Sequence, residues 1–170
     1  MKLVRLSSDY PVTSFDCGDE DLNEFLRDDA KNFHAKRIAN TFILEDNGKI
    51  AAYFCLLNDK ISRIEITNSR WKIIKDSFPD GKRFRSYPSI KIGRLAVDLN
   101  YRGQHIGTKL IDIIKSLLDR DTNHSAFRFL TVDAYLSAVP FYHRCGFKEL
   151  TQKDEDEHTR LMYFDMMTIS

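Results

Sequence analysis

The stretch from Ile90 to Leu110 constrains the fold more than any other part of this 170-residue chain. It opens as an apolar run, Ile90 to Val97, with strand character, and breaks at Asp98 to Asn100. Gly103 and Gly107 follow within a polar turn. Ile106, Leu110, Ile113, Ile114, Leu117 and Leu118 then fall on one helical face. A strand that feeds a glycine-bearing turn and opens a helix leaves several backbone N–H groups unpaired. Those donors, added to the positive end of the helix dipole, suit a phosphate or pyrophosphate, and Arg102 supplies formal charge beside them. A plain βα turn needs the same glycines and has no ligand, so Arg-Gly-x-x-x-Gly alone does not decide between the two.

On either side of this stretch the chain reads as one domain over residues 1–170, long enough for a sizeable core. Lys2 to Leu6 forms a first strand. The acidic start Asp19-Glu20-Asp21 leads a helix with Leu22, Phe25, Leu26, Ala30 and Phe33 on its apolar side. Thr41 to Leu44 and Ile50 to Leu57 form a hairpin, because Asn47-Gly48 supplies the two positive-φ positions of a tight primed turn. Ser69 is the expected N-cap of a short helix carrying Trp71, Ile74 and Phe78, which Phe78-Pro79-Asp80-Gly81 stops. Phe127 to Ala134 is a strand. Ser137 is the expected N-cap of the next helix, Pro140 falls in its first turn, and Gly146 ends it as a left-handed residue. Strands at Phe147 to Leu150 and Arg160 to Met167 finish the chain. This order predicts an α/β fold, a mixed twisted sheet with helices covering it.

Composition excludes little: a net charge of +1 argues neither for nor against a polyanion. Cys17, Cys55 and Cys145 show no metal-type spacing and read as reduced thiols, which with the lack of a cleavable signal pattern predicts a cytoplasmic protein. Ile50 to Leu57 is far short of the roughly 20 apolar residues a membrane helix needs. The bases Arg70, Lys72, Lys75, Lys82, Arg83, Arg85 and Lys91 surround Phe84 and Tyr87. Such a run serves as a phosphate-reading rim for RNA or as an ordinary solvated face, and the balanced total charge favours the second. Asp154 to His158 lacks the glycine-centred geometry of a calcium loop.

Arg102-Gly103-Gln104-His105-Ile106-Gly107 resembles the acyl-CoA pyrophosphate loop of the GCN5-related N-acetyltransferases, whose usual form is Arg/Gln-x-x-Gly-x-Gly/Ala. His105 departs from that form where a glycine stands; histidine tolerates positive φ less well but keeps the N–H donor. A second motif, Ala138-x-x-Phe141-Tyr142-x-x-x-Gly146-Phe147, resembles the family at its expected distance from the first. Phe15-Asp16-Cys17-Gly18 with Leu22-Asn23-x-Phe25-Leu26, and Gly93-Arg94-Leu95-Ala96-Val97-Asp98, resemble the branch that includes toxins acetylating aminoacyl-tRNA. Tyr135 stands where many members carry an asparagine.

The resemblance implies a mostly antiparallel sheet of the acetyltransferase type and acetyl-CoA as cofactor. It implies acetyl transfer to a primary amine, with aminoacyl-tRNA as the leading acceptor. Small-molecule or protein N-terminal amines come next, and a noncatalytic acyl-CoA-binding module is the competing class. By the same resemblance Tyr142 is the general acid. Leu95, Ala96 and Val97 pair with the pantetheine arm, and Arg102, Gly103, Gln104, His105, Ile106, Gly107 and Thr108 hold the pyrophosphate. Arg94, Lys82, Arg83 and Arg85 are the candidate acceptor contacts. Partners are the amine acceptor, tRNA among them, an antitoxin protein and a second copy of the chain. The strand glutamate that many members use as a base is missing, because Ile90 to Val97 holds only Lys91 and Arg94 as charged residues. Asp98 and Asp133 are the substitutes in reach of the strand ends. An absent base suits an α-amine of pKa about 8 better than a lysine near about 10.4.

Overall fold

A computed structural model describes residues 1–76, 84–120, 125–151 and 158–169. Among them, seven strands form one sheet in the order β1-β2-β3-β4-β5-β7-β6. The strands are β1 (Lys2–Arg5), β2 (Asn40–Asp46), β3 (Lys49–Ser62), β4 (Ser86–Val97), β5 (Phe129–Tyr135), β6 (Lys148–Glu149) and β7 (Thr159–Asp165). The sheet is mostly antiparallel, as expected, and its helices are α1 (Glu20–Glu24), α2 (Ala30–Ala35), α3 (Asn68–Asp76), α4 (Ile106–Asp119) and α5 (Val139–Arg144). The chain divides into two compact units. Unit 1 is Met1–Leu57 with Ile92–Leu118, and unit 2 is Asn58–Lys91 with Asp119–Ser170.

In unit 1, β1, β2 and β3 pair antiparallel, and the β2–β3 turn is the predicted one, with Asn47 at φ 49° and Gly48 at φ 78°. Asp19 caps α1 by accepting from the Leu22 N–H. Between α1 and α2 the helix widens into one π-helical turn, Phe25–Asp29, which the apolar spacing did not foretell. The Phe25 ring there stacks on Tyr53 and meets Phe33 edge-on, with centroids 6.2 and 5.4 Å away. Leu6, Leu26, Ile43, Ile50, Tyr53 and Ala96 pack around it. Each large apolar side chain buried this way contributes about 1.5–3 kcal/mol.

In unit 2, β7 lies between β5 and β6 and pairs antiparallel with both. Ile61, Ile66, Trp71, Ile74, Tyr87, Phe129, Leu150 and Tyr163 form its core. Arg128 clamps the Asp165 carboxylate with two bonds, Nε to Oδ1 at 3.0 Å and Nη2 to Oδ2 at 2.9 Å.

Three local expectations are corrected. β3 continues past Leu57 to Ser62, because Ile61 is drawn into the unit 2 core. Ser69 lies inside α3, and Thr67 takes the cap role, its Oγ1 accepting from the Arg70 N–H at 3.5 Å. Ser137 falls in a 3₁₀ turn, Leu136–Ala138, and α5 starts after Ala138 without a side-chain cap. Phe78 lies outside the described residues.

Candidate active site

Unit 1 holds the first constellation, the turn from β4 into α4. Gly103 has φ 76° and His105 φ 58°, so the chain turns through two left-handed residues before the helix. Histidine has taken the conformation that glycine adopts freely, at a cost of order 1–3 kcal/mol. The first bond of the helix runs from the Lys109 N–H to the His105 carbonyl at 3.1 Å. The Ile106, Gly107 and Thr108 N–H groups come before it and belong to the unpaired first turn. That turn carries no acidic side chain, and Gly103, Gln104, His105 and Thr108 are exposed. Among the described residues of this first turn no carboxylate competes for these donors, and the set fits a pyrophosphate.

Asp98 fixes the approach to this turn. It is 5% exposed and accepts from the Asp16 N–H at 3.0 Å and from the Asn100 N–H and Asn100 Nδ2 at 2.9 Å each. Three donors thus give Asp98 a bracing role that its reading as a substitute base did not include. The Leu99 N–H returns a bond to the Asp16 carbonyl at 2.8 Å. Arg102 Nη2 donates to the Cys17 carbonyl at 2.5 Å, so one arm of its guanidinium is tied back into the N-terminal segment. Gly18 at φ 78° lets that segment pass close: a Cβ there would lie 3.3 Å from Arg102 Nη2. The Asp16 carboxyl accepts from the Gly18 N–H at 2.8 Å and from Asn23 Nδ2 at 2.9 Å. These two bonds hold it below its ordinary pKa, with a smaller share from Arg102. Phe15-Asp16-Cys17-Gly18 thus braces the turn, a role its apolar packing did not reveal.

On β4 itself, Ala96 is buried in the unit 1 core while Leu95 and Val97 are half-buried. Arg94 is exposed, stands 5.0 Å from the Phe25 ring centroid and donates from Nη1 to the Gly93 carbonyl at 2.9 Å. Among the other acceptor candidates, Arg85 is exposed just before β4, its carbonyl receiving the Arg63 N–H at 3.1 Å. Lys82 and Arg83 lie outside the described residues.

Unit 2 holds the second constellation, α5 and its stop. Gly146 at φ 86° ends the helix: its N–H reaches the His143 carbonyl at 2.9 Å, and the Phe147 N–H reaches the Tyr142 carbonyl at 3.0 Å. The stop folds Phe147 back, so Tyr142 is held edge-on between Phe141 and Phe147 at 5.0 and 5.3 Å. Burial pushes the Tyr142 phenol well above its ordinary pKa, with Cys145 adding to the effect. The side chain therefore keeps its proton at neutral pH. His143 is occupied nearby: Nδ1 donates to the Phe147 carbonyl at 3.2 Å and Nε2 lies 2.9 Å from Glu149 Oε1. Cys17, Cys55 and Cys145 are buried, and burial pushes the Cys55 thiol up to about 11.

Residues 82–168 match the Acetyltransferase (GNAT) domain, slightly more than half of the chain. The chain belongs to the GNAT acetyltransferase family. A curated relative, the tRNA-acetylating toxin of Mycobacterium tuberculosis (strain ATCC 25618 / H37Rv), is 25% identical to this GNAT over 107 residues. That match covers 63% of this chain and 59% of the relative, less than two thirds of the relative's length. AtaT complexed with acetyl-methionyl-tRNAfMet is 26% identical with a TM-score of 0.79, covering 99% of this GNAT and 97% of that chain. AtaTR bound with AcCoA is 26% identical with a TM-score of 0.78, covering 99% and 95%. Among the described residues of this GNAT, no helix is long and apolar enough to cross a membrane.

Proposed function

We propose that this GNAT moves an acetyl group from acetyl-CoA to a primary amine, and that the amine is the α-amino group of an aminoacyl-tRNA. The observation that carries the cofactor is the β4–α4 turn, where His105 adopts the left-handed backbone of the family's glycine. Gly103 to Thr108 would hold the pyrophosphate by backbone N–H groups, with Arg102 nearby. Leu95, Ala96 and Val97 would pair with the pantetheine arm and offer an N–H to the thioester oxygen. When bound, acetyl-CoA supplies an electrophilic carbonyl and a thiolate leaving group. Tyr142 keeps a proton on its phenol oxygen, ready for the departing sulfur. Arg94 and the exposed Arg85 are the described cations proposed to meet the acceptor.

The likeness to AtaT, which was complexed with acetyl-methionyl-tRNAfMet, supports the tRNA acceptor over free small amines. An α-amine of pKa about 8 is already roughly one-tenth neutral at pH 7, so it asks less of a base than a lysine does. The test is labelled acetyl-CoA with a pool of charged tRNAs, run beside polyamines, aminoglycosides and N-terminal peptides. Label on charged tRNA is expected. Label on a free amine or peptide and never on RNA would replace the acceptor while keeping the acetyltransferase, and cofactor binding without transfer would favour the noncatalytic module.

A further inference from the structure

Within unit 1 the exposed Arg94 is held by a buried ring. Phe25 opens the π-helical turn Phe25–Asp29 and is 3% exposed. Two neighbours fix its ring, Tyr53 stacked at an interplanar angle of 19° and Phe33 edge-on at 88°. Just ahead of that turn the Tyr53 hydroxyl donates to the Leu22 carbonyl at 2.7 Å, which ties the helix to β3 beside the ring. Arg94 comes from β4, the strand next to β3. Its guanidinium carbon stands over the Phe25 ring, 5.0 Å from the centroid, while Nη1 donates to the Gly93 carbonyl at 2.9 Å.

The charge on Arg94 is left over. Among the described residues no carboxylate lies within ion-pair distance of it, and its Nε and Nη2 groups have no hydrogen-bond partner. Arg27, in the π-helical turn itself, is instead paired with Glu20 at 3.4 Å and with Asp28 at 3.0 Å. A free arginine loses rotamer freedom when a ligand fixes it, and here the ring and the carbonyl have removed part of that freedom beforehand. A carboxylate could hold the side chain as well, but it would neutralise it. A ring face holds the guanidinium and leaves its charge whole. The outward fork of Nε and Nη2 matches an anion that offers two oxygens, and the phosphodiester is the one an RNA carries.

We infer that Phe25 is a positioning residue for the acceptor: its ring holds Arg94 so that Nε and Nη2 receive one phosphodiester of the RNA. This rests on the tRNA reading above and deepens it. Phe25 acts through Arg94 and touches no substrate.

The test uses the whole chain, with acetyl-CoA and a pool of charged tRNAs as the probe. Arg94→Ala should raise KM for charged tRNA about tenfold and lower the slope of log affinity against log salt by about one. Phe25→Leu should raise KM roughly threefold with kcat and acetyl-CoA affinity unchanged. Pentafluorophenylalanine at position 25 keeps the shape of the ring but removes the negative face that attracts a cation. It should match Phe25→Leu in KM at wild-type Tm, so the measurement survives even where Phe25→Leu folds poorly. In the Arg94→Ala background neither change at position 25 should alter KM further. Wild-type KM with the fluorinated ring, or a Phe25→Leu effect that persists without Arg94, overturns the inference and reduces Phe25 to packing. Wild-type KM and salt slope in Arg94→Ala overturn it as well, and in each of these cases intact transfer to tRNA leaves the acceptor reading standing. A wild-type protein that labels free amines and never RNA overturns the tRNA reading and the role of Phe25 with it.

Discussion

The β4–α4 turn of unit 1 offers backbone N–H groups, whereas α5 of unit 2 offers a single side chain, and the two tolerate change differently. In the turn, His105 stands in the left-handed region and still presents its N–H, so the donor set survives a residue the family pattern does not contain. In α5 everything local, from the Gly146 stop to the Phe141 and Phe147 rings, holds one phenol in place. Backbone-built features depend on dihedral angles and on whatever braces them, while side-chain-built features depend on residue identity.

Substitutions can break or sharpen this contrast. The largest effect is expected from Gly107→Glu, which puts a carboxylate into the positive first turn of α4 and should remove measurable acetyl-CoA binding. Unchanged affinity in calorimetry would show that the pyrophosphate is held elsewhere. Tyr142→Phe keeps the ring and its packing but loses the proton, so turnover should drop roughly 10²–10⁴-fold with acetyl-CoA affinity nearly intact. Wild-type turnover would reduce Tyr142 to a packed aromatic. Asp98→Ala strips acceptors from the Asp16 and Asn100 N–H groups, and urea unfolding should show a loss of about 2–3 kcal/mol. Acetyl-CoA affinity should weaken with it, because the turn loses its brace; full affinity in a destabilised protein would separate the two. The smallest effect belongs to His105→Gly. Relief of the left-handed backbone, partly offset by the extra entropy a glycine loses on folding, should stabilise the fold by at most about 1 kcal/mol and leave acetyl-CoA affinity unchanged. A clear loss of affinity would mean that the imidazole itself takes part.

Much of the backbone was legible from short stretches. Asn47-Gly48 announced its turn, Pro140 and Gly146 bracketed α5, and Ile106 to Leu118 announced α4, because turn dihedrals and helical faces are local preferences. The bracing was not. Asp98 looked like a free carboxylate at a strand end, yet it serves the Asp16 N–H, 82 residues away. Arg102 looked like a phosphate ligand alone, yet it also reaches the Cys17 carbonyl, 85 residues away. The π-helical turn at Phe25, whose ring meets Tyr53 and Phe33, is likewise not encoded by the apolar spacing.

The sequence by itself determined where the chain turns, where its helices start and stop, and which two motifs carry the family. The tertiary structure decided what the charged residues do. Lys91 on β4 was legible only as one of two charged residues, with Arg94, on a strand that lacks the family's glutamate. Sheet order put Asp59 and Asp133 on either side of it, with Asp133 lying 42 residues along the chain. Turn preferences are set by a few adjacent dihedrals and can be read in place. A charge's partner is set by which strands lie side by side, and that depends on the packing of the whole sheet.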